Sequence, residues 1–332
     1  MPKKYVFGKV FTSMILIAIF VQCQPSRIID LSEVDAKVNI HRFDEAFFAL
    51  DTSNFSQDFA KLQESEFSLF FEGNNAEPFW RNQRTLDYMV RLHSEVKLKY
   101  PNTKTLEREI HELYRHYRYF YRDTDETIEV FTYISGLDFD FPIIYVDSIS
   151  TAFVALDLFL GEDHPAYARK SDYLNFHHNP EQIVVKLAKQ MLLTHTRKDA
   201  SDMSLINDMV YHGKMLYALL QLLPHADEQL LLNYTSNHLL FCRENERTVW
   251  RFFIEQDILF DQRAESKRRF IDPAPFSKFY MEFDNLTPGQ IGQWMGLQIV
   301  KSYMRRHQGK ELSELLHDRD HRTIFAESGY KP

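Results

Sequence analysis

The spacing of apolar residues changes twice along the chain, and each change predicts a change of secondary structure. Apolar side chains recur three and four residues apart before residue 122 and again after residue 180, which is the pattern of amphipathic helices. The predicted helices span residues 55–71, 80–99, 105–122, 180–193, 204–223, 235–260 and 288–306.

The middle of the chain has a different pattern, with β-branched and aromatic residues in short runs. Residues 128–134, 141–146 and 151–160 form three such runs, and turn residues divide them. A further strand is predicted at residues 38–43. We therefore predict an α+β fold that is mostly helical, with its helices packed around a small central sheet.

The N-terminus has the order of a secretory signal. Lys3, Lys4 and Lys9 form a basic region, an apolar run covers residues 10–21, and Cys23 follows directly. The apolar run is shorter than the ~20 residues that a helix needs to cross a bilayer. A cysteine in this position is typical of a lipoprotein, in which the thiol carries a diacyl group that anchors the chain.

This arrangement divides the chain into a lipoprotein signal peptide at residues 1–22, a tether at 23–37 and a single domain at 38–332. Gln22 departs from the small residue that usually precedes the lipidated cysteine, so an uncleaved anchor and ordinary signal cleavage are the alternatives to lipidation at Cys23. We expect a membrane-anchored lipoprotein of the cell envelope that faces the periplasm.

Composition narrows the possible partners and the source of stability. The formal charge changes from −8 to −11 on signal removal, because three lysines and no acids lie in the first 22 residues, and this argues against a nucleic-acid partner. Only one cysteine remains besides Cys23, so no intramolecular disulfide is available if Cys23 is lipidated. The 28 phenylalanines and 17 tyrosines indicate that stability comes from a large buried core.

Residues 269–304 are rich in proline, glycine and aromatic residues and end in an amphipathic helix. Gly292 and Gly296 lie four residues apart on one face of that helix, where the absence of side chains lets another backbone approach closely. Two interpretations are open: a tight helix crossing within the core, or one wall of a binding cleft.

Several ordered motifs together resemble one known family. These segments are ALDLFLGEDHPAY at 155–167, DMVYHGKMLYALLQLLP at 208–224, ENERTVWRFF at 244–253, FIDPAPFSKFY at 270–280, PGQIGQWMGLQIVKSYM at 288–304 and SGYKP at 328–332. The chain resembles the gliding motility lipoprotein GldB of Bacteroidetes over most of its mature length. The resemblance implies an envelope lipoprotein with protein partners in the gliding machinery and the associated type IX protein secretion system.

The family resembles, more distantly, zinc peptidases of the gluzincin type, and the fold is expected to be a degenerate version of theirs. Such an enzyme needs H-E-x-x-H on one helix, because residues four apart share a face and can bind one metal. The corresponding helix here offers Lys186, Lys189 and Gln190, and the next helix carries His212 where the pattern has a glutamate. We predict that the chain is not an enzyme and holds no metal or other cofactor.

A groove that has lost its metal can still hold an extended peptide. We predict a peptide- or protein-binding groove that exposes Tyr211, His212, Lys214, Trp294 and Tyr303. The leading functional prediction is a non-enzymatic envelope lipoprotein. The alternatives are a binding module for a peptide or glycan, and a hydrolase with an unrecognised site.

Four other groups of reactive residues are interpreted as structural. His111 and His116 lie five residues apart and so point in different directions from a helix. The doublet at residues 177–178 is expected in a solvated loop, and Cys242 in a helix core. Asp157 lies in an apolar run, where a buried carboxylate is expected to accept hydrogen bonds from the backbone or from a nearby tyrosine or arginine.

Overall fold

A computed structural model describes residues 29–73, 76–122, 124–168 and 176–332 of the chain. The predicted signal peptide, Cys23 and the tether up to residue 28 lie outside the described residues. Residues Val34–Pro332 cluster as a single unit. Within the described ranges, no helix has the length and apolar character needed to span a membrane.

A four-stranded mixed sheet lies at the centre, in the order β1-β2-β4-β3. The strands are β1 (Lys37–Arg42), β2 (Thr127–Tyr133), β3 (Ile143–Val146) and β4 (Thr151–Ala155). β2 runs parallel to both β1 and β4, whereas β3 and β4 form an antiparallel hairpin. Ser150 adopts a left-handed conformation, with φ of 45°, in the turn of that hairpin.

Thirteen α-helices occur in the described residues. They are α1 (Phe43–Phe48), α2 (Phe55–Gln63), α3 (Glu77–Thr85), α4 (Asp87–Lys99), α5 (Lys104–Phe120), α6 (Gln182–Leu193), α7 (Leu205–Leu222), α8 (Glu228–Leu232), α9 (Ser236–Glu255), α10 (Ala264–Phe270), α11 (Ile291–Arg306), α12 (Leu312–His317) and α13 (His321–Ser328). Short 3₁₀ turns occupy Ser68–Phe71, Asp147–Ile149, Leu156–Leu158, Pro165–Tyr167, Phe176–His178 and Asp284–Leu286.

The predicted α+β, mostly helical class is confirmed. Some boundaries differ from the prediction for identifiable reasons. The predicted helix at residues 80–99 is divided because Leu86 is extended, with ψ of 123°. The predicted helix at 235–260 ends at Glu255, and Asp257 beyond it has a positive φ of 51°.

An aromatic layer covers one face of the sheet. Phe131 of β2 and Phe153 of β4 stack with ring centroids 5.5 Å apart, and Phe70 contacts both rings edge-on. Phe70 in turn stacks on Phe43 at 3.9 Å, which connects the sheet to α1. Because aromatic rings bury large apolar areas, this layer accounts for many of the phenylalanines of the N-terminal third.

Helices α5 and α6 pack against β1 and β3 respectively, and α7 packs against both helices. Helix α7 is therefore central to the helical part of the molecule. It also makes the most extensive helix-to-helix contact of the described chain, with α11.

The crossing of α7 and α11 depends on glycine. A Cβ atom added at Gly296 would lie 1.8 Å from the carbonyl oxygen of Met209, and one at Gly213 would lie 2.3 Å from the backbone of Gly296. Gly292 is similarly close to the backbone of Phe270, at 2.8 Å. The tight helix crossing is thus the correct interpretation of the glycine spacing in α11.

Candidate functional site

Two lysines lie on one side of α6 without partners. Lys186 and Lys189 are three residues apart, so their side chains project from the same face of the helix. Lys186 is half-buried and Lys189 is exposed. Neither ammonium group has a hydrogen-bond or ion-pair partner among the described residues.

The surroundings of both lysines disfavour the charged form. Burial, followed by the charge of Lys189, lowers the pKa of Lys186 to about 8. Lys189 reaches water, but the protein around it removes enough hydration to lower its pKa as well.

The charges of these lysines also affect two histidines. Burial lowers the pKa of His177 to about 3, and the charges of Lys186 and Lys189 add to the effect. Burial likewise lowers the pKa of His212 to about 3, with further contributions from Lys189, Lys198 and Lys267. Both imidazoles are therefore neutral at neutral pH. The Asn233 amide donates to Nδ1 of His177 at 3.1 Å, which leaves the ring proton on Nε2.

Lys267 of α10 completes this group of side chains, because α10 packs on α7 close to His212. It is half-buried and, like the two lysines of α6, has no side-chain partner in the described ranges. We refer to Lys186, Lys189, Lys267, His177 and His212 as the cationic cluster.

The cationic cluster is chemically suited to anions. Protonated lysines have no lone pair to offer a metal, and they repel a cation. The charged groups that shift the pKa values of Lys186, His177 and His212 are lysines and, for His177, also His178. Among the residues that the structure describes, no group of three or more His, Cys, Asp or Glu side chains is placed to hold a metal ion.

The sequence identified Lys186 and Lys189 only as substitutes for zinc ligands, and His212 as such a substitute and as a groove residue. Their role as a cluster was missed because it depends on His177 and Lys267, which belong to other segments. One feature of the sequence does indicate it: two lysines one turn apart interrupt the otherwise apolar helix QIVVKLAKQMLL.

The predicted groove is not formed as expected. Lys214, Trp294 and Tyr303 are buried, with exposed fractions of 0%, 2% and 3%, so the prediction that they are exposed is wrong. Lys214 donates to three backbone carbonyls, of Arg197, Leu316 and Asp318. All three side chains are internal because α7 and α11 are covered by other helices on most of their circumference.

Trp294 and Tyr303 also have internal partners. The indole nitrogen of Trp294 donates to Glu228 at 3.0 Å, and the hydroxyl of Tyr303 accepts from Lys310 at 3.0 Å. The remaining two predicted groove residues, Tyr211 and His212, are half-buried. Of the five, the structure therefore places only His212 in the cationic cluster.

The residues interpreted as structural are mostly confirmed as such. Cys242 is fully buried, and burial raises the pKa of its thiol far above the usual range. Asp157 is also fully buried, and its two oxygens accept from the backbone amides of Ser135 and Leu137, each at 2.8 Å. The exception is the doublet at residues 177–178, which was expected in a solvated loop. His178 is buried and donates to the carbonyl of Leu158, and His177 is half-buried.

A second polar depression lies near the C-terminus. It has a volume of about 530 Å³ and is lined by Asp202, Asn207, His321 and Arg322 among others. Its charges are largely compensated within the protein, since Arg322 donates to Asp202 at 2.7 Å and His321 bonds to Asn207. The cationic cluster, whose lysines lack such compensation, is the better candidate site.

The fold and this site define a mostly helical α+β protein with a mixed sheet and a group of lysines on α6 and α10 that have no carboxylate partner in the described ranges. Comparison with known families then gives a particular assignment: the chain belongs to the gliding motility protein GldB family, whose sequence model matches residues 24–332. Membership implies a gliding motility lipoprotein associated with the cell envelope.

Neither the curated proteins nor the solved structures include a match to this chain. The distant resemblance to gluzincin peptidases therefore stays a prediction.

Proposed function

We propose that the protein is a non-enzymatic envelope lipoprotein that supports gliding motility and the associated type IX protein secretion. The observation that carries this proposal is the family match, which extends over residues 24–332 and so covers nearly all of the predicted mature chain. The proposal includes protein partners in the gliding and secretion machinery and no nucleic-acid partner, in keeping with the net negative charge.

The chemistry of the described residues supports binding in preference to catalysis. If the predicted resemblance to zinc peptidases holds, Lys186, Lys189 and Gln190 stand where such an enzyme carries its metal-binding motif. The thiol of Cys242 is inaccessible and its raised pKa disfavours the reactive thiolate. The carboxylate of Asp157 accepts hydrogen bonds from the backbone amides of Ser135 and Leu137.

Attachment through lipid at Cys23 explains how such a protein stays at the membrane. Two acyl chains give stable anchoring, whereas a single chain gives only marginal binding. In this proposal the tether at residues 23–37 connects the lipid to the folded domain, which faces the periplasm.

A gene deletion tests the functional proposal. We expect the deletion to abolish single-cell movement on glass and export of a type IX cargo protein, because the lipoprotein supports both processes. Complementation with wild type restores both activities. The Cys23→Ala variant restores neither and is recovered outside the membrane fraction, because the anchor is lost.

Cells that lack the gene but move and export normally would overturn the proposed role. Restoration of both activities by Cys23→Ala at wild-type abundance would instead overturn the requirement for lipid attachment. Immunoblots of the membrane and soluble fractions control for abundance in every strain.

A further inference from the structure

An apolar cavity of about 180 Å³ lies where α5, α6 and the end of α7 meet the segment that leads into α8. Its apolar lining includes Leu113 of α5, Val185 of α6, and Leu222 and Leu223 at the end of α7. These four side chains are buried and belong to the hydrophobic core. Exposed residues such as Pro224 also line the cavity, so it opens to the surface and gives access to the edge of the core.

Three carboxylates line the same cavity: Glu109 and Glu112 of α5, and Glu181 directly before α6. Glu109 lies four residues before Leu113, and Glu181 lies four residues before Val185, so each carboxylate shares a helix face with an apolar residue of the lining. Helices α5 and α6 pack against each other. The cavity therefore combines an apolar floor with negative charge from two neighbouring helices, and we refer to it as the α5–α6 pocket.

The carboxylates of the α5–α6 pocket are poorly neutralised within the protein. Glu109 and Glu181 have no ion-pair partner among the described residues, and Glu112 pairs with His225 at 3.0 Å, an interaction that neutralises it only when the histidine is protonated. Burial raises the pKa of Glu109, and the charges of Glu181 and Glu112 act in the same direction, whereas the charge of Arg108 opposes them. Arg108 lines a separate depression of the surface. A cation from outside the protein would therefore complement this pocket.

The size of the α5–α6 pocket favours one side chain of a protein partner over a free ligand. Pockets that bury a small-molecule ligand usually have volumes of ~300–1,000 Å³, and this one is smaller. Protein interfaces derive much of their affinity from a few anchor side chains that fill such pockets and are surrounded by other contacts. Charges around the anchor select partners of opposite sign. The apolar floor and the carboxylates together thus specify both the anchor and its neighbours.

We propose that the α5–α6 pocket binds a segment of another protein in which one large apolar side chain is flanked by lysine or arginine. The apolar side chain fills the cavity, and the flanking cations pair with Glu109 and Glu181. The inference deepens the proposed function and rests on it in one respect, namely that the protein has protein partners. A binding assay with purified components can fail while the deletion phenotype holds, so the two proposals are tested separately.

Fluorescence anisotropy of a labelled synthetic peptide tests this proposal. The full-length protein is placed in nanodiscs of zwitterionic phosphatidylcholine, which keeps detergent out of the cavity and limits attraction of the peptide to lipid. The probe has one leucine between two pairs of lysines, and empty nanodiscs give the background. We expect saturable binding to wild type, and an affinity at least ten times lower when serine replaces the leucine or when glutamates replace the lysines.

Charge variants of the protein test the role of the carboxylates. The Glu109→Gln, Glu181→Gln double variant should bind the leucine peptide at least ten times more weakly than wild type, because the flanking lysines lose their partners. The matched control is the Glu107→Gln, Glu244→Gln double variant, which removes the same charge at two exposed carboxylates that do not line the cavity. We expect this control to keep the wild-type affinity.

Five results would overturn the proposal. They are the absence of saturable binding to wild type, equal affinity for the leucine and serine peptides, equal affinity for the lysine and glutamate peptides, equal affinity of wild type and the Glu109→Gln, Glu181→Gln variant, and displacement of the probe by n-pentylamine as effectively as by the unlabelled peptide. The last would assign the pocket to a small amine. Circular dichroism and thermal unfolding show whether each variant is folded. If the double variant does not fold, wild type with the three peptides still decides the question.

Discussion

Lys214 shows how strongly one side chain can connect separate parts of this fold. Its ammonium group is fully buried and donates to carbonyls at 3.0 Å, 3.1 Å and 2.6 Å, which belong to the segment after α6, to α12 and to the residue after α12. Burial lowers the pKa of Lys214 to about 7, and only the protonated form has three hydrogens for these three acceptors. The side chain is therefore a structural crosslink and not a groove residue.

We expect Lys214→Met to destabilise the protein by about 3 kcal/mol, because buried carbonyls lose their donor. The carbonyl of Leu316 still accepts a hydrogen bond from the backbone amide of Arg197. The carbonyls that lose the donor of Lys214 without this replacement are those of Arg197 and Asp318. Urea unfolding at pH 7 measures the effect, and Lys61→Met is the control for loss of an exposed lysine. A change below 0.5 kcal/mol would contradict the crosslinking role.

Lys186 leads to a prediction about pH. Its native pKa of about 8 lies below the ordinary value of 10.5, so the cost of the buried charge is fully present below pH 8. Between pH 8 and 10.5 the unfolded chain binds more protons than the native protein, and the contribution of Lys186 to stability therefore rises with pH. The cost disappears above that range.

At pH 7, we accordingly expect Lys186→Gln to be more stable than wild type, by on the order of 1–2 kcal/mol after allowance for partial exposure. This advantage should fade as the pH rises from 8 to 10. Urea unfolding of both proteins over this range gives the comparison. A difference that is constant with pH would show that the charge of Lys186 is not the cause.

Sequence patterns predicted individual residues well where burial alone decides the outcome. Cys242 and Asp157 lie in apolar runs, and both are buried as expected. The prediction failed for Lys214, Trp294 and Tyr303, because it placed them on a groove expected from the resemblance to zinc peptidases and not from a pattern of burial. Helix α7 has few exposed positions, and the residues that cover it come from segments up to 104 residues away.

At the scale of elements, the contact between α7 and α11 is the most constrained in the described chain. Gly213 and Gly296 bring the two backbones together without intervening side chains. The sequence predicted this kind of contact from the spacing of Gly292 and Gly296, but the partner helix is known only from the structure. Such an approach has no room for even a methyl group.

We expect Gly296→Ala to destabilise the protein by more than about 3 kcal/mol or to prevent folding, because its Cβ would overlap the carbonyl oxygen of Met209 at 1.8 Å. Gly309→Ala is the matched control, since a Cβ there meets no atom within 4 Å. Thermal unfolding and soluble yield of the two variants measure the difference. Similar melting temperatures would mean that the helices can separate without cost.

The elements that the sequence missed are short. Helices α8, α12 and α13 have five, six and eight residues, too few for a clear amphipathic period. Their starts are nevertheless marked by acidic side chains: Asp227 accepts from the amide of Leu230, and Asp320 accepts from that of Thr323. Capping residues therefore identify helices that periodicity alone does not.

At the scale of the whole molecule, the aromatic layer and the helical part have different roles. The layer over one face of the sheet is built from ring-to-ring contacts such as Phe43–Phe70 and Phe131–Phe153. The helical part contains the buried polar crosslink of Lys214 and the cationic cluster. Composition predicted the large aromatic core. The positions of the charged side chains relative to one another could not be predicted without the tertiary structure.

The parallel pairing of β1 with β2 affects how the chain is made. Asn39 of β1 lies opposite Glu129, which follows it by 90 residues. At a synthesis rate of ~5–20 residues per second, β1 leaves the ribosome roughly 5–20 seconds before its partner. A strand that waits unpaired can aggregate, and charged residues reduce that risk. The sequence of β1, KVNIHR, has a lysine at one end and an arginine at the other, and we expect these charges to disfavour aggregation before β2 is available.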